Sequence, residues 1–475
     1  MTRINTNIPS LIAQGRMRQN VHDLNTRLER LSTGLRINRG ADDPAGLIAS
    51  ETLRSEINSI SQAITNSDRA INMLSTAEGA LNEVSSLLLG VRALVLEMAN
   101  EGALGPEEIA ANQLEIDSIL ASVDRIANTT QFAGKKLLNG GLDYTLSGVN
   151  TTTLASVQVY SARIPEGSTK SVTVQVTQSA ETALLTFTNA GATTSAATVE
   201  LSGKRGTEIL SFTSGTTFTQ IATSVNDLTA VTGVSAIVSG GTLRLDSVDY
   251  GSDAFVSVKS INGDFVWGSD VITPGVTSTD NGVNTGVLVN GQVGSTQGLQ
   301  VDIRTATLDS RFYLDPAFAQ SATTSSFYVT GGGSLFQISP EVSPLGQINV
   351  GLTSVSTANL GNTVVGFLNT IKSGGTNAVN QGHYIAAEDI LAEAINQIAV
   401  FRGRLGSLEK NQIRTNINSQ QVAFENVTAS ESVIRDADMA VEVSAMTRAQ
   451  ILVQATQMTL GVANQLPQMA LQLLG

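Results

Sequence analysis

The chain has 475 residues, which is enough for two to four domains, and its formal net charge is −13. This acidic balance argues against a nucleic-acid-binding protein, because binding a polyanion requires clustered Lys and Arg side chains. Cysteine is absent, which excludes disulfides, thiolate chemistry and cysteine-based zinc sites.

The first predicted helix carries apolar residues at a strict 3-4-3-4 spacing. They are Val21, Leu24, Leu28, Leu31 and Leu35. This spacing is typical of a coiled-coil seam rather than of the broad apolar face of a globular helix. We therefore predict that these residues form one half of a self-assembly seam.

A break is predicted after this helix, near residues 38–40, where Gly40 can adopt the left-handed cap conformation. Asp42 and Asp43 then precede Pro44, and proline suits the first turn of a new helix.

The two aspartates are interpreted as a capping unit paired with Arg36 or Arg39, rather than as a metal or acid–base site, because they fall at a predicted helix start. The helix-break signature consists of Arg36, Asn38, Asp42 and Asp43.

A long second helix is predicted from Pro44 to about Asn100, and a third from Pro106 to about Ala127. The second helix would be ~85 Å long at 1.5 Å per residue, so it needs partner helices to cover its apolar seam. That seam is Leu74, Ala77, Leu81, Val84, Leu88, Val91 and Val95.

From Gly140 onward the pattern changes to short apolar alternation rich in Gly, Ser, Thr and Val. Val172, Val174 and Val176 show the period of two that is typical of a strand. Two alternating runs flank Gly240-Gly241 and predict a hairpin over residues 234–245. Phe218 to Leu228 is predicted to be a short helix. The region is therefore predicted to be mainly β.

Helical periodicity returns at about Ala386 and breaks again at Asp436 and Asp438. The last helix carries a second seam at heptad spacing: Leu452, Ala455, Val462, Leu466, Met469 and Leu473. The two ends of the chain mirror each other, and we expect them to complete one another.

A membrane span is the alternative for residues 449–475, which carry no charge. Seven Asn and Gln side chains there favour burial against other helices, because a lipid-facing helix rarely carries so many amides. We therefore expect no membrane span. Nothing from Met1 to Gly15 resembles a secretory signal peptide.

No catalytic constellation is found. The only histidines are His22 and His383, and neither begins the HExxH pattern of a zinc protease. No phosphate-binding GxxxxGK[ST] loop occurs. We predict no catalytic, metal-binding or cofactor-binding residues, no cofactor and no enzymatic activity.

The two ends of the chain resemble the bacterial flagellins. The segments Leu31–Asn38 (LSTGLRIN) and Ala41–Leu47 (ADDPAGL) resemble the N-terminal signature of that family, and DRI at 124–126 with TQFAG at 130–134 resembles its continuation. The C-terminal signature is matched by RDADMA at 435–440, SAMTRAQIL at 444–452 and ANQLPQ at 463–468. Phe218 to Ala236 resembles a short repeat inserted in flagellins and hook-associated proteins.

The resemblance implies a multidomain α plus β protein: an N- and C-terminal helical coiled-coil and bundle core, with an inserted mostly-β variable region. Residues 1–43 and 436–475 would be the inner-core helices, whose coiled coil forms on assembly. Residues 44–170 and 383–435 would form a helical rod with a β-hairpin part. Residues 171–382 would be the outward-facing mainly-β region, in one or two modules.

The implied function is that of a subunit exported from the cell and polymerised into the extracellular flagellar filament used for motility. The implied partners are further copies of the chain, an export chaperone at the C-terminal segment, the filament cap and hook-associated proteins, with no nucleic acid.

Animal Toll-like receptor binding is expected to be weak. In flagellins the receptor grips two arginines and a leucine on the second helix and a glutamate on the third. The matching residues here are Arg92, Leu94 and Glu115, but Gly90 stands where the first arginine is expected.

Two other functions remain open at this stage. A hook–filament junction protein shares the helical ends, although the QLPQ ending at 465–468 favours a filament subunit. An exported hydrolase or adhesin would need a site within 171–380. No catalytic site is recognised there, but glycan or surface binding by those loops stays possible.

Overall fold

The structure is a computed structural model that describes residues 6–164, 168–187, 193, 195–267 and 270–472. The helices of this described part are α1 (Ile8–Thr33), α2 (Pro44–Met98), α3 (Pro106–Thr129), α4 (Phe218–Asp227), α5 (Thr229–Thr232), α6 (Pro316–Ala319), α7 (Tyr384–Leu408), α8 (Arg414–Arg435) and α9 (Met439–Gln472). A π-helical turn at Glu409–Ile413 connects α7 and α8, and 3₁₀ turns lie at Pro344–Gly346, Leu368–Ile371 and Val379–Gln381.

The strands lie between α3 and α7. They are β1 (Gln131–Phe132), β2 (Lys135–Lys136), β3 (Tyr144–Ser147), β4 (Leu154–Ala162), β5 (Lys170–Gln178), β6 (Thr182–Phe187), β7 (Ala197–Gly203), β8 (Thr207–Phe212), β9 (Val234–Ser239), β10 (Thr242–Tyr250), β11 (Phe255–Asn262), β12 (Phe265–Trp267), β13 (Asp270–Ile272), β14 (Thr277–Asn281), β15 (Gly286–Val289), β16 (Gln292–Val293), β17 (Ser295–Gln297), β18 (Gln300–Arg304), β19 (Leu308–Leu314), β20 (Thr324–Gly332), β21 (Ser334–Gln337), β22 (Gln347–Val350), β23 (Gly361–Asn362) and β24 (Gly366–Phe367). The predicted class, helical ends around a mostly-β insertion, is confirmed.

The end of α1 differs from the prediction. The helix ends at Thr33 because Gly34 adopts a left-handed conformation with φ of 74° and donates its amide hydrogen to Arg30 O at 2.9 Å. The expected end near residues 38–40 is therefore wrong. The predicted start at Pro44 is confirmed.

The chain divides into two compact units. The first contains the chain up to Asp68, Ile338–Glu341 and the chain from Ile413. The second contains Arg69–Gln337 and Val342–Gln412. In the first unit α1 runs antiparallel to α9, which confirms that the two ends of the chain complete each other.

The second unit contains a helical part in which α2 and α7 are joined by ion pairs, Arg92 with Glu388 and Arg402 with Glu78. The predicted heptad of α2 is fully buried from Leu74 to Val95. Polar side chains of α3 hold the loop that precedes α7. Asp124 accepts hydrogen bonds from Thr357 and Lys372, for example.

Two β cores follow in this unit. The first lies between the sheet β16-β15-β5-β20-β3 and the sheet β17-β18-β19-β4. Phe312 and Phe327 meet there edge to face with ring centroids 5.8 Å apart. Strands β3 and β4 therefore share sheets with strands near residue 300, although the predicted bounds assign them to different regions.

The second core covers residues 183–272 and is built from the sheets β6-β10-β9 and β14-β11-β7-β8 with helix α4. The predicted helix near Phe218 and the predicted hairpin are both confirmed. Gly240 and Gly241 both have positive φ, 59° and 82°, as a two-residue turn between twisted strands requires.

One described helix, α2, is long and apolar enough to cross a membrane by length and composition, with a mean hydropathy of 1.4 in its most apolar window. The buried heptad from Leu74 to Val95 accounts for part of that hydropathy, since a helix of a soluble bundle passes the same test. Charged side chains also recur along α2 from Glu51 to Glu97. Within the described residues, the C-terminal segment from Ala449 is not a candidate membrane span by length and composition.

Candidate functional site

Hydrogen bonds near the start and in the middle of α1 hold it against α9. Asn7 Nδ2 donates to Ala463 O at 2.7 Å, and Ser10 Oγ donates to Asn464 Oδ1 at 2.8 Å. Farther along, Asn20 Nδ2 donates to Leu452 O at 3.3 Å. Polar side chains at several points along the contact thus set the register of the two helices.

An ion-pair cluster lies near the other end of this contact. Glu442, whose side chain is 7% exposed, accepts from Arg27 at 3.0 Å and from Arg30 at 3.1 Å. Burial alone would raise the pKa of Glu442, but the hydrogen bonds from the two guanidinium groups outweigh it and hold the pKa below its usual value. The cluster therefore carries its full charge at neutral pH.

The two helix breaks are joined to each other. Arg36 N donates to Arg435 O at 2.7 Å, and Ala437 N donates to Gly34 O at 2.9 Å. The Arg36 guanidinium also donates to Ile434 O at 2.5 Å. The Arg36 guanidinium thus binds a carbonyl at the C-terminal end of α8, where the helix dipole favours positive charge.

Asp42 and Asp43 cap the backbone at two different places. Asp42 Oδ2 accepts from Asn38 N at 3.1 Å and from Arg39 N at 2.9 Å, and the Arg39 amide is the main cause of its lowered pKa. Asp43 Oδ1 accepts from Gly46 N at 2.9 Å in the first turn of α2. Capping is as predicted.

The predicted ion pairs of these aspartates are wrong. Arg36 contacts the Ile434 carbonyl instead, and Arg39 pairs with Glu29 at 2.9 Å. Asn38 contributes in another way, since its side chain donates to Leu35 O at 3.1 Å.

The predicted seam residues differ in how far the structure covers them. Leu24 and Leu31 on α1, and Leu35 just after its end, are half-buried, whereas Val21 and Leu28 on α1 are exposed. On α9 the predicted residues within the described side chains are all exposed: Leu452, Ala455, Val462 and Leu466. The side chain of Met469 and the whole of Leu473 lie outside the described residues.

A different heptad of α9 is the one covered in the structure, and the sequence reasoning missed it. We name it the inner heptad; it consists of Glu442, Met446, Ala449, Val453, Thr456, Leu460 and Ala463. The outer heptad, Leu452, Ala455, Val462 and Leu466, precedes it by one residue, a rotation of about 100° around the helix. Both heptads have the same spacing, so α9 has two faces suited to helix pairing.

The receptor-recognition candidates lie on α2 and α3. Arg92 and Glu115 are exposed and Leu94 is half-buried. Arg92 already pairs with Glu388 of α7. A β-carbon at Gly90 would meet nothing within 4 Å, so the fold of the chain itself does not require glycine there.

Among the described residues, no cluster of three or more His, Cys, Asp or Glu side chains could hold a metal ion.

Three family models match the chain. The model of the bacterial flagellin N-terminal helical region matches residues 4–142, and that of the C-terminal helical region matches residues 389–474. The flagellin hook IN motif matches residues 198–249, where the sequence resembled an inserted repeat.

Full-length relatives agree with these matches. The chain is 29% identical to the B-type flagellin of Pseudomonas aeruginosa and 28% identical to the flagellin of Salmonella muenchen, in each case over 99% of both chains. Among solved structures, FliC from Burkholderia pseudomallei is 16% identical and matches with a TM-score of 0.22, over 72% of this chain and 99% of that one.

Proposed function

The chain belongs to the bacterial flagellin family, and we propose that the outer heptad of α9 is a surface through which its copies contact one another. Flagellins are structural proteins of the extracellular flagellar filament. The chain is accordingly an exported filament subunit that serves motility, not an enzyme.

The exposure of large apolar side chains on the outer heptad carries this proposal. Leu452, Val462 and Leu466 are 44%, 57% and 46% exposed although they recur at coiled-coil spacing. On α1, Val21 and Leu28 are likewise 36% and 45% exposed. A contiguous apolar stripe of this kind favours association, because burying one such side chain contributes about 1.5–3 kcal/mol.

The test is polymerisation of the purified full-length chain with Val462 and Leu466 both replaced by Asn. We expect the critical concentration for filament growth to rise at least about tenfold, since more than 1.4 kcal/mol of burial is lost per contact. Gln457→Asn, an exposed change on the same helix outside both heptads, is the control. Unchanged polymerisation of the double variant would refute the assignment of this surface.

The seam residues of α1 and α9 together support different structural roles for different parts of the chain. Residues 1–43 and 436–475 serve as inner-core helices, and residues 44–170 and 383–435 serve as the rod. Residues 171–382 face outward, because the helical heptads lie outside them, and β3 and β4 go with them because they belong to the same sheets. Truncation before Gln450 tests the first part: the protein should stay soluble, with intact β cores, and should not polymerise.

The C-terminal segment is also the proposed binding site of an export chaperone. Residues 449–475 carry no charge and include the apolar outer heptad, which needs a cover before polymerisation. The chain truncated before Gln450 should fail to bind the host's flagellar export chaperone, and retained binding would move the site elsewhere. The filament cap and the hook-associated proteins are the further proposed partners, at the ends of the polymer.

Activation of the animal Toll-like receptor is proposed to be weak. Gly90 provides no side chain, and Arg92 would have to leave Glu388 before binding a receptor. Losing one anchor of a small hot spot costs about 2 kcal/mol, roughly thirtyfold in affinity. Gly90→Arg has space for its side chain and should raise signalling in reporter cells. Strong signalling by the unmodified chain would contradict the proposal.

A further inference from the structure

A cavity of about 680 Å³ opens in the second unit between the β sheet that contains β4, β18 and β19 and the helix α7. Strand β22 forms a further wall, and Ser161 Oγ of β4 donates to Asn349 O of β22 at 3.1 Å. The volume lies within the range of small-molecule sites, about 300–1,000 Å³.

The charge of this cavity is opposite to that of the chain. Its charged lining residues are Arg163, Arg304, Arg404 and Asp309, three cations against one anion. The whole chain instead has 28 Lys and Arg against 41 Asp and Glu. A concave site with excess positive charge in an acidic protein attracts anions, since a cleft focuses the field of its lining charges.

Arg404 provides a fixed positive charge in the lining of the cavity. Its side chain is 12% exposed, it pairs with Asp309, and its guanidinium carbon lies 3.6 Å from the centroid of the Tyr160 ring. Its Nε and Nη2 atoms are buried without a hydrogen-bond acceptor, although Nη2 lies 3.5 Å from Asp302 Oδ1. Arg404 is therefore held in place by its neighbours and contributes its positive charge to the cavity wall.

The two remaining arginines are free to make direct contacts. Arg304 of β18 lies opposite Asp309 of β19 in the sheet, and Asp309 lies opposite Ser161 of β4. The side chains of these three residues therefore share the sheet face that meets α7. Arg163 follows two residues after Ser161 at the same edge. Both arginines are exposed, and neither has an ion pair with any residue of the described part.

Neutral hydrogen-bonding groups complete the lining. The side-chain amides of Gln347 and Gln412 lie on the walls, and neither makes a side-chain hydrogen bond within the described residues. Amides pair with hydroxyl groups as both donors and acceptors.

We propose that this cavity binds an acidic sugar, with the carboxylate or sulfate group on Arg163 and Arg304 and ring hydroxyls on the two glutamines. The guanidinium fork binds such anions through paired, charge-assisted hydrogen bonds. A carboxylate of another subunit has the same anionic group but lacks the hydroxyls, so the amides on the walls favour a sugar.

Isothermal titration of the full-length monomer tests the proposal separately from filament assembly. The probes are galacturonate, galactose 6-sulfate, neutral galactose and inorganic sulfate, with a galacturonate oligomer to distinguish a free sugar from a chain. We expect the acidic sugars to bind at least about tenfold more tightly than galactose, because charged hydrogen bonds contribute more than neutral ones.

Arg304→Ser should weaken galacturonate binding about tenfold or more, and Arg163→Ser should have a similar effect. Arg125→Ser, an exposed change on α3 outside the cavity, is the matched control and should leave the affinity unchanged. Unchanged melting temperatures would show that the variants are folded.

Several results would overturn the proposal. Equal binding of galactose and galacturonate would remove the role of the arginines, and binding of inorganic sulfate as tight as that of the sugars would indicate an adventitious anion only. No detectable sugar binding, together with impaired polymerisation of Arg304→Ser, would identify the cavity as a subunit contact instead.

Discussion

Replacing Glu442 with Gln would remove the negative charge that holds Arg27 and Arg30 against α9. The substitution keeps the size of the side chain and one acceptor oxygen, so any loss of stability reports on charge rather than on packing. Because Glu442 is the acidic partner of both arginines at 3.0 and 3.1 Å, one change weakens two contacts between α1 and α9.

The expected loss is about 2 kcal/mol. A hydrogen bond to a charged group contributes about 1.5–3 kcal/mol, and the amide oxygen of Gln retains part of one. Removing one partner of a fully buried pair costs about 3–5 kcal/mol. Here the arginine side chains are 27% and 20% exposed, so water compensates part of the lost charge.

Hydrogen exchange measures this loss in the helices concerned. Amides of α1 and α9 in filaments should exchange roughly thirtyfold faster in Glu442→Gln, which corresponds to about 2 kcal/mol. Glu29→Gln on α1 is the control, because Glu29 forms a surface ion pair with Arg39, and a surface pair contributes at most about 1 kcal/mol.

The same contact predicts a pH dependence. The arginines hold the pKa of Glu442 below the ordinary value near 4.5. Its contribution is therefore complete above that ordinary value and is lost as the pH falls through the lower pKa of the folded state. Equal protection of the Glu442→Gln and Glu29→Gln filaments at neutral pH, or a loss that does not respond to acid, would refute this reasoning.

Four further changes have effects that follow from the structure. Gly46→Ala should lower the free energy of unfolding by about 1–3 kcal/mol, because its β-carbon would lie 2.7 Å from Ile37 Cδ1. Gly90→Ala should raise the free energy of unfolding by about 0.5–1 kcal/mol, because its β-carbon would lie in open space. Equal effects of the two changes on thermal unfolding would contradict this expectation. Burial raises the pKa of Asp143 to about 6, so its charge becomes a penalty as the pH rises from about 4 to 6. Asp143→Asn should therefore stabilise by about 1–2 kcal/mol at pH 7 and not below about pH 4, and urea unfolding with no such difference would refute it. Replacing residues 182–282 by an Asn-Gly turn should leave the first β core folded. The backbones of Glu181 and Val283, which flank the excised segment, already bond to each other at 2.9 and 3.0 Å. Loss of near-ultraviolet circular dichroism from that core would contradict this expectation.

The β region shows how far sequence patterns extend. The hairpin at Gly240-Gly241 was predictable because the turn requires two positive φ angles in adjacent residues. The partners of β5 were not predictable, since β5 pairs with β15 and β20, more than a hundred residues away. Alternation determines which face of a strand is buried but not which strand lies beside it.

The connection between the helix breaks was missed for a related reason. Both breaks were visible as separate signals, Asp42-Asp43-Pro44 and Asp436 with Asp438. The contact that joins them runs largely through backbone atoms, as in the Arg36 N to Arg435 O hydrogen bond. Since every residue carries these atoms, side-chain chemistry gives no sign of such pairing.

The last helix marks the limit of periodicity as a guide to function. The outer heptad at Leu452 and Val462 and the inner heptad at Val453 and Ala463 share the same period and differ by one residue. Periodicity therefore indicates that α9 pairs with helices but cannot decide which face is covered by α1. The proposed filament contact would use both faces, one for the chain's own N-terminal helix and one for another copy. The two faces differ in what covers them: the outer heptad is exposed, whereas the inner heptad meets α1 and includes polar groups such as Glu442 and Thr456, which bond to it.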